Sequence, residues 1–217
     1  VHGGIGRAQR WQDEGEAAMA GRLGHRPRAL GAFSRRGMGR SDAPPSGYRL
    51  VDFVEDLADA VDTFGYQRFV VVGHSLGVPI ALSYAARRPT GLVGLVLGDY
   101  GPRYPALGER WLTQVEERHR LGGPGEFDLE GARRMRADSR EVDLSGELTS
   151  ITFPVLVVTA DDEVSLTARD RATYEKRLID VRIVRIAGAG HLLSVEGSSD
   201  AFHAALGGFL DRFDAAS

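Results

Sequence analysis

The 217-residue chain has no cysteine, which removes a thiol nucleophile, a thiolate metal site and a disulfide staple together. No apolar run approaches the roughly 18 residues that a membrane-spanning helix needs. Strong charge of either sign is also missing. The formal net charge is -3 and the basic residues are scattered, so neither nucleic acid nor a membrane is expected as a partner. Lysine is almost absent, Lys176 being the only one among 27 basic side chains, a bias of composition that carries no chemistry. What remains is a protein expected to be soluble and cytoplasmic, and its 42% hydrophobic content can bury one sizeable core.

Periodicity places the elements. Val51, Val54, Leu57, Ala58, Val61 and Phe64 recur at helical spacing, with Gly65 at the C-terminal cap position. Phe69 to Val72 is a continuous apolar run suited to a strand buried on both faces, and Leu92 to Leu97 and Val155 to Val158 repeat that pattern. Between the first two lies a helical segment, Leu76 to Arg88, with Pro79 in its first turn and Pro89 ending it. Thr167 and Asp170 form a capping box before a helix reaching about Leu178, Val181 to Ile186 is the last strand, and Asp200 to Phe213 is a closing helix. Further helices are expected over Trp11 to Leu23, around Trp111 to Val115 and over Leu129 to Met135, with a break at Gly122 to Gly125 and a short strand over Arg28 to Phe33. Strand–helix–strand alternation implies right-handed crossovers and a mostly parallel α/β sheet with helices on both faces.

Gly73-His74-Ser75-Leu76-Gly77 stands between a buried strand and a helix. A serine between two glycines at such a turn is pushed outward on a tight backbone, the arrangement of a nucleophile elbow. Its hydroxyl needs a base. Among six histidines, His191 follows Ala187-Gly188-Ala189-Gly190 just after the last strand, at the carboxyl edge of the sheet where Ser75 also lies. For His74, His119 and His203 a structural or surface role is expected. A carboxylate is then required to orient the imidazole; Asp161, Asp162 and Glu163 follow the Val155 strand, and Asp99 ends the strand before it. Leu76 N–H, at a helix N-terminus, and Gly4 N–H, in the glycine-rich start His2-Gly3-Gly4, are candidate donors to an oxyanion.

Taken in order, these motifs resemble the α/β-hydrolase superfamily over nearly the whole chain. His2-Gly3-Gly4 is similar to its oxyanion loop, Arg36-Gly37-Met38-Gly39-Arg40-Ser41 to its Arg-Gly-x-Gly-x-Ser loop, Gly73 to Gly77 to its elbow, and Ala189-Gly190-His191 to its histidine loop. Laying the family's Gly-x-x-Asp pattern over Ala160 to Glu163 puts the acid on Glu163, with Asp162 and Asp99 as alternatives. Ser34 and Val78 depart from the usual aspartate and glycine. The family places two strands and most of a third before the oxyanion loop, so the N-terminal edge strands are expected to be missing from this chain.

The resemblance implies a carboxylesterase-like serine hydrolase that cleaves an ester, thioester or related small acyl substrate through an acyl-enzyme. Ser75, Glu163 and His191 would be catalytic, Gly4 and Leu76 would form the oxyanion hole, and neither metal nor organic cofactor is called for. The core would comprise residues 1–101 and 151–217, and 102–150 would be a small helical lid in which Trp111 and Met135 either line a pocket or simply pack. The same fold also hosts non-hydrolytic work, such as lyase, C–C bond-cleaving or cyclising chemistry, and slow-turnover ligand receptors.

Overall fold

Successive valines of one strand face different cores, and that alternation organises the molecule. The computed structural model describes residues 28–122, 128–161, 165–193 and 199–214. Strand β1 (Phe69–His74) sends Val71 into one hydrophobic cluster and Val70 and Val72 into the other. The period-2 geometry of a strand requires this when both faces are covered. Strand β2 (Leu92–Gly98) pairs with β1 in parallel, with Val70 opposite Gly94 and His74 opposite Gly98.

Helix α1 (Leu50–Phe64) precedes β1, and α2 (Gly77–Ala86) links β1 to β2. After β2 the chain forms a short strand β3 (Arg103–Tyr104), helices α3 (Glu109–Gly122) and α4 (Leu129–Asp138), and strand β4 (Val142–Asp143), which pairs antiparallel with β3. Strand β5 (Val155–Thr159), helix α5 (Ala168–Arg177), strand β6 (Val181–Arg185) and helix α6 (Ser199–Leu210) complete the order. The main sheet runs β1-β2-β5-β6 and is parallel throughout. Every residue of β5 is buried, as expected for a strand covered on both faces. Burying side chains such as Leu156 and Val157 contributes about 1.5–3 kcal/mol each.

One face carries α1, α2 and the segment that follows β2, whose Leu112, Val115, Ala132 and Met135 join its core. The other carries α6, through Phe202, Leu206, Phe209 and Leu210, with Phe213 beyond it. Helix α2 is buried on nearly every side, from Gly77 to Leu82 and at Tyr84 and Ala85, as a helix without a polar face must be. Helix α4 docks on the loop before α1: Arg134 donates to the carbonyls of Ala43 and Pro44, and Tyr48 N–H donates to Asp138. Asp170 closes the capping box of α5 with Thr167 and also pairs with Arg103, which ties that helix to the root of the segment after β2.

Two details differ from the periodicity reading. The buried stripe of α1 is Leu50, Phe53, Val54 and Leu57, while Val51 is 44% exposed and Phe64, stacked on Tyr66, is 36% exposed. Val54, Leu57, Ala58 and Val61 of the expected stripe pack on the core, and Leu50 and Phe53 take the place of Val51 at its start. Arg28 to Phe33 forms no strand, because it has no ladder partner among the described residues; Arg28 instead donates to the Leu210 carbonyl and pairs with Asp214. The helix expected over Trp11 to Leu23 and most of the Gly122 to Gly125 break lie outside the described residues.

Gly73 is where α2 comes closest to β1. A Cβ there would stand 2.6 Å from the Gly77 carbonyl oxygen and 2.9 Å from Ala81 Cβ. Backbone is in the way, so no side chain can move aside. Gly73→Ala is expected to destabilise the fold by roughly 1–3 kcal/mol, the range for overpacking a tight core, read as a shifted midpoint in equilibrium denaturation.

Candidate active site

Strands β1 and β2 end level with one another, and each is followed by a residue in the left-handed region: Ser75 at φ 54° and Asp99 at φ 48°. Aspartate tolerates that conformation better than most residues, whereas for serine it is strained, at a cost on the order of 1–3 kcal/mol. The strain is held in place locally. Ser75 N–H donates to the Gly98 carbonyl at 2.9 Å, Val78 N–H to the Ser75 carbonyl at 2.8 Å, and Asp99 N–H to the Val158 carbonyl at 2.8 Å. The turn after Ser75 runs directly into α2, so Leu76 N–H stands among the first amides of that helix, which have no intrahelical acceptor.

His191 spans both strand ends. Its Nε2 lies 2.9 Å from Ser75 Oγ and its Nδ1 lies 2.8 Å from Asp99 Oδ2. With Asp99 ionised, Nδ1 carries the proton and donates it to the carboxylate, which leaves Nε2 as acceptor for the serine hydroxyl. The imidazole is 36% exposed while the Asp99 carboxylate is fully buried. The acid is thus sealed from water while the base remains partly exposed. The second carboxylate oxygen, Oδ1, accepts from Ala160 N–H at 3.0 Å and from Thr159 Oγ1 at 3.3 Å. Burial is the largest single influence on the Asp99 carboxyl and pushes its pKa up. The hydrogen bonds from His191 and Ala160, with the nearby imidazoles, outweigh it and hold the pKa below the ordinary carboxylate value.

The carboxylate hydrogen-bonded to His191 Nδ1 is Asp99, one of the two alternatives to Glu163. The end of β5, where the Gly-x-x-Asp overlay set the acid, supplies hydrogen-bond donors to Asp99. Asp162 and Glu163 themselves lie outside the described residues, as does Gly4.

Two residues that sequence reasoning did not assign to the site hold the histidine loop. Asp161 N–H donates to the Ala189 carbonyl at 3.0 Å, and its carboxylate accepts from Gly188 N–H at 3.3 Å and from Arg185 Nε at 2.6 Å. These contacts, that of Gly188 foremost, lower its pKa. His74 reaches the loop from the other side, its Nε2 lying 2.6 Å from the His191 carbonyl oxygen. The available signals were the position of Asp161 after a buried strand and that of His74 beside the serine. Among the described residues no three histidine, aspartate or glutamate side chains are grouped to hold a metal ion, and no helix is long and apolar enough to cross a membrane.

The loop resembling the Arg-Gly-x-Gly-x-Ser motif is tied to α1. Arg36 makes a two-pronged ion pair with Asp56 of α1 and donates to the Gly47 carbonyl at 2.7 Å. Burial and the Gly37 turn also bring the motif against α4, where a Cβ on Gly37 would stand 3.3 Å from Gly131 Cα.

Comparison with known proteins agrees with this architecture. The chain is 25% identical to the 2-(acetamidomethylene)succinate hydrolase of Mesorhizobium japonicum, over 83% of this chain and 77% of that protein. It is 27% identical to the putative carbamate hydrolase RutD of Variovorax paradoxus, over 97% of this chain and 90% of that one. An esterase from Exiguobacterium antarcticum superposes with a TM-score of 0.79 at 16% identity, covering 97% and 90% of the two chains. Residues 2–116 match the family described as the alpha/beta hydrolase fold, and with a serine on a strained strand-to-helix turn facing a histidine after the last strand, this chain belongs to that family.

Proposed function

We propose that this protein is a serine hydrolase acting on a small substrate with an activated or simple acyl bond: an ester, a thioester, or a related amide or carbamate. The observation that carries the reading is the continuous hydrogen-bonded line from Ser75 Oγ through His191 to the buried Asp99 carboxylate, at 2.9 and 2.8 Å. The names of its relatives, hydrolases of an acetamido compound and of carbamates and an esterase, support the same class of bond.

In this mechanism His191 Nε2 takes the Ser75 proton as Oγ attacks the acyl carbon, and Asp99 stabilises the imidazolium that results. Negative charge collects on the former carbonyl oxygen, where Leu76 N–H and a second donor assigned to Gly4 receive it. His191 then gives its proton to the departing alcohol, thiol or amine. A water molecule, deprotonated by the same nitrogen, attacks the acyl-enzyme and releases the acid, regenerating Ser75. Asp99 takes the orienting role in preference to Glu163 or Asp162. Residues 102–150, inserted between two adjacent strands of the sheet, are assigned as the lid that roofs the site and selects the substrate.

A fluorophosphonate probe is expected to label the wild-type protein at Ser75 and to leave Ser75→Ala unlabelled, read by peptide mass spectrometry. With p-nitrophenyl acetate, Asp99→Asn is expected to lower kcat roughly 10³- to 10⁴-fold, since the wrong imidazole tautomer then faces the serine. Glu163→Gln is expected to leave kcat unchanged; the opposite pattern would return the role to Glu163. The pKa of Asp99 is lowered in the folded chain, so its ionisation stabilises the fold at pH above the ordinary carboxylate value of about 3.9, and this is lost as pH falls through the lower folded value. The stability gap between wild type and Asp99→Asn, read by urea denaturation, is therefore expected to be constant near neutral pH and to change only below about pH 4.

A further inference from the structure

His191 depends on a loop, and loops position side chains less firmly than strands do. The described part of that loop has two anchors. Asp161 holds Ala189 and Gly188 by the backbone contacts given above. At His191 itself the peptide carbonyl accepts from His74 Nε2 at 2.6 Å, across 117 positions of sequence. A carbonyl can only accept, so His74 Nε2 carries a proton.

The sequence makes this contact possible in three steps. Gly73 faces α2, so the next residue of β1 must point to the opposite face of the sheet. On that face the neighbour across the ladder is Gly98, and a Cβ there would stand 3.0 Å from His74 Cδ2 and 3.4 Å from Leu193 Cδ1. Absence of a side chain on Gly98 thus leaves the imidazole a place to lie beneath the histidine loop. The two rings then sit with centroids 4.9 Å apart and planes tilted by 36°. Ser75 and His74 are consecutive, so the residue that would attack and the residue that anchors its base move as one rigid strand end.

We propose that His74 is a positioning residue: its Nε2–H, bound to the His191 carbonyl, sets the distance between His191 Nε2 and Ser75 Oγ. The proposal rests on the serine-hydrolase reading for its kinetic consequence, but the contact itself does not. In a near-attack arrangement a displacement of about 1 Å can lower the rate 10²-fold, and here one hydrogen bond fixes the peptide that bears the base.

Two amide variants that differ only in reach provide the test. In glutamine the terminal amide nitrogen is as many bonds from Cβ as histidine Nε2, whereas in asparagine it falls one short. In the full chain, His74→Asn is expected to lower kcat for p-nitrophenyl acetate and the rate of fluorophosphonate labelling about ten- to a hundredfold, with KM little changed. His74→Gln is expected to restore most of both rates. The His191 Nδ1 proton, bound to Asp99, should give a downfield NMR resonance in wild type and His74→Gln that broadens in His74→Asn, and this reading needs no turnover. Equal activity and equal resonances in all three proteins, equal losses in both variants, or a loss confined to KM would each overturn the proposal. If the wild-type protein neither labels at Ser75 nor hydrolyses the ester, the hydrolase reading fails, and the resonance still decides what His74 does.

Discussion

The parallel pairing of β1 with β2 is the constraint on which the site depends. Its register sets His74 opposite Gly98, so the next residue of each strand, Ser75 and Asp99, leaves the sheet at the same level. Both adopt positive φ, and the N–H of each donates a hydrogen bond to a carbonyl of the neighbouring strand. A slip of one residue would reverse the facing of every side chain in β1. Val71 would leave the core it shares with α1 and α2, and Gly73 would no longer face α2 at a distance only glycine allows. The same packing that stabilises the sheet therefore fixes the separation of hydroxyl and carboxylate.

With those two groups set, the imidazole has to be brought across from β6, which is separated from β1 by two strands. A flexible loop would leave Nε2 with many positions. The chain restricts them with short-range contacts of different kinds: a carboxylate and an amide from Asp161 on one flank and an imidazole N–H from His74 on the other. The buried Asp99 then takes Nδ1. Four hydrogen bonds from three separate strand ends converge on one short segment, which is how a loop residue acquires the definition of a core residue.

Much of the fold was legible from pattern alone. The four valine- and leucine-rich runs became the four parallel strands, Gly65 caps α1 in the left-handed conformation, and Thr167 with Asp170 forms the capping box. Ser75 and His191 were legible because glycine spacing and position after a strand are local properties. The acid was not. Choosing between Glu163 and Asp99 depends on which strand end the imidazole reaches, a matter of sheet order and loop course that no local motif encodes. His74 was set aside for a related reason: its partner is a backbone carbonyl, and a carbonyl leaves no mark on residue identity. The exposure of Val51 illustrates a smaller limit, since apolar spacing alone does not say which residue at the end of a stripe the core reaches.

The contact of Asp99 with His191 has its own physical logic. In the family overlay, the turn after β5 would carry glycine followed by the carboxylate; here Ala160 stands at the glycine position. Its N–H is directed to Asp99 Oδ1, joined by the Thr159 hydroxyl. Burial pushes the pKa of the Asp99 carboxyl upward, and the Ala160 N–H joins the bond from His191 in bringing it back below the ordinary value. A neutral Asp99 could not stabilise an imidazolium. The end of β5 thus keeps a part in the chemistry under this assignment, contributing the hydrogen bonds that hold the acid ionised on the neighbouring strand. Under that assignment the ionisation of Asp99 depends in part on an amide and a hydroxyl that carry no charge.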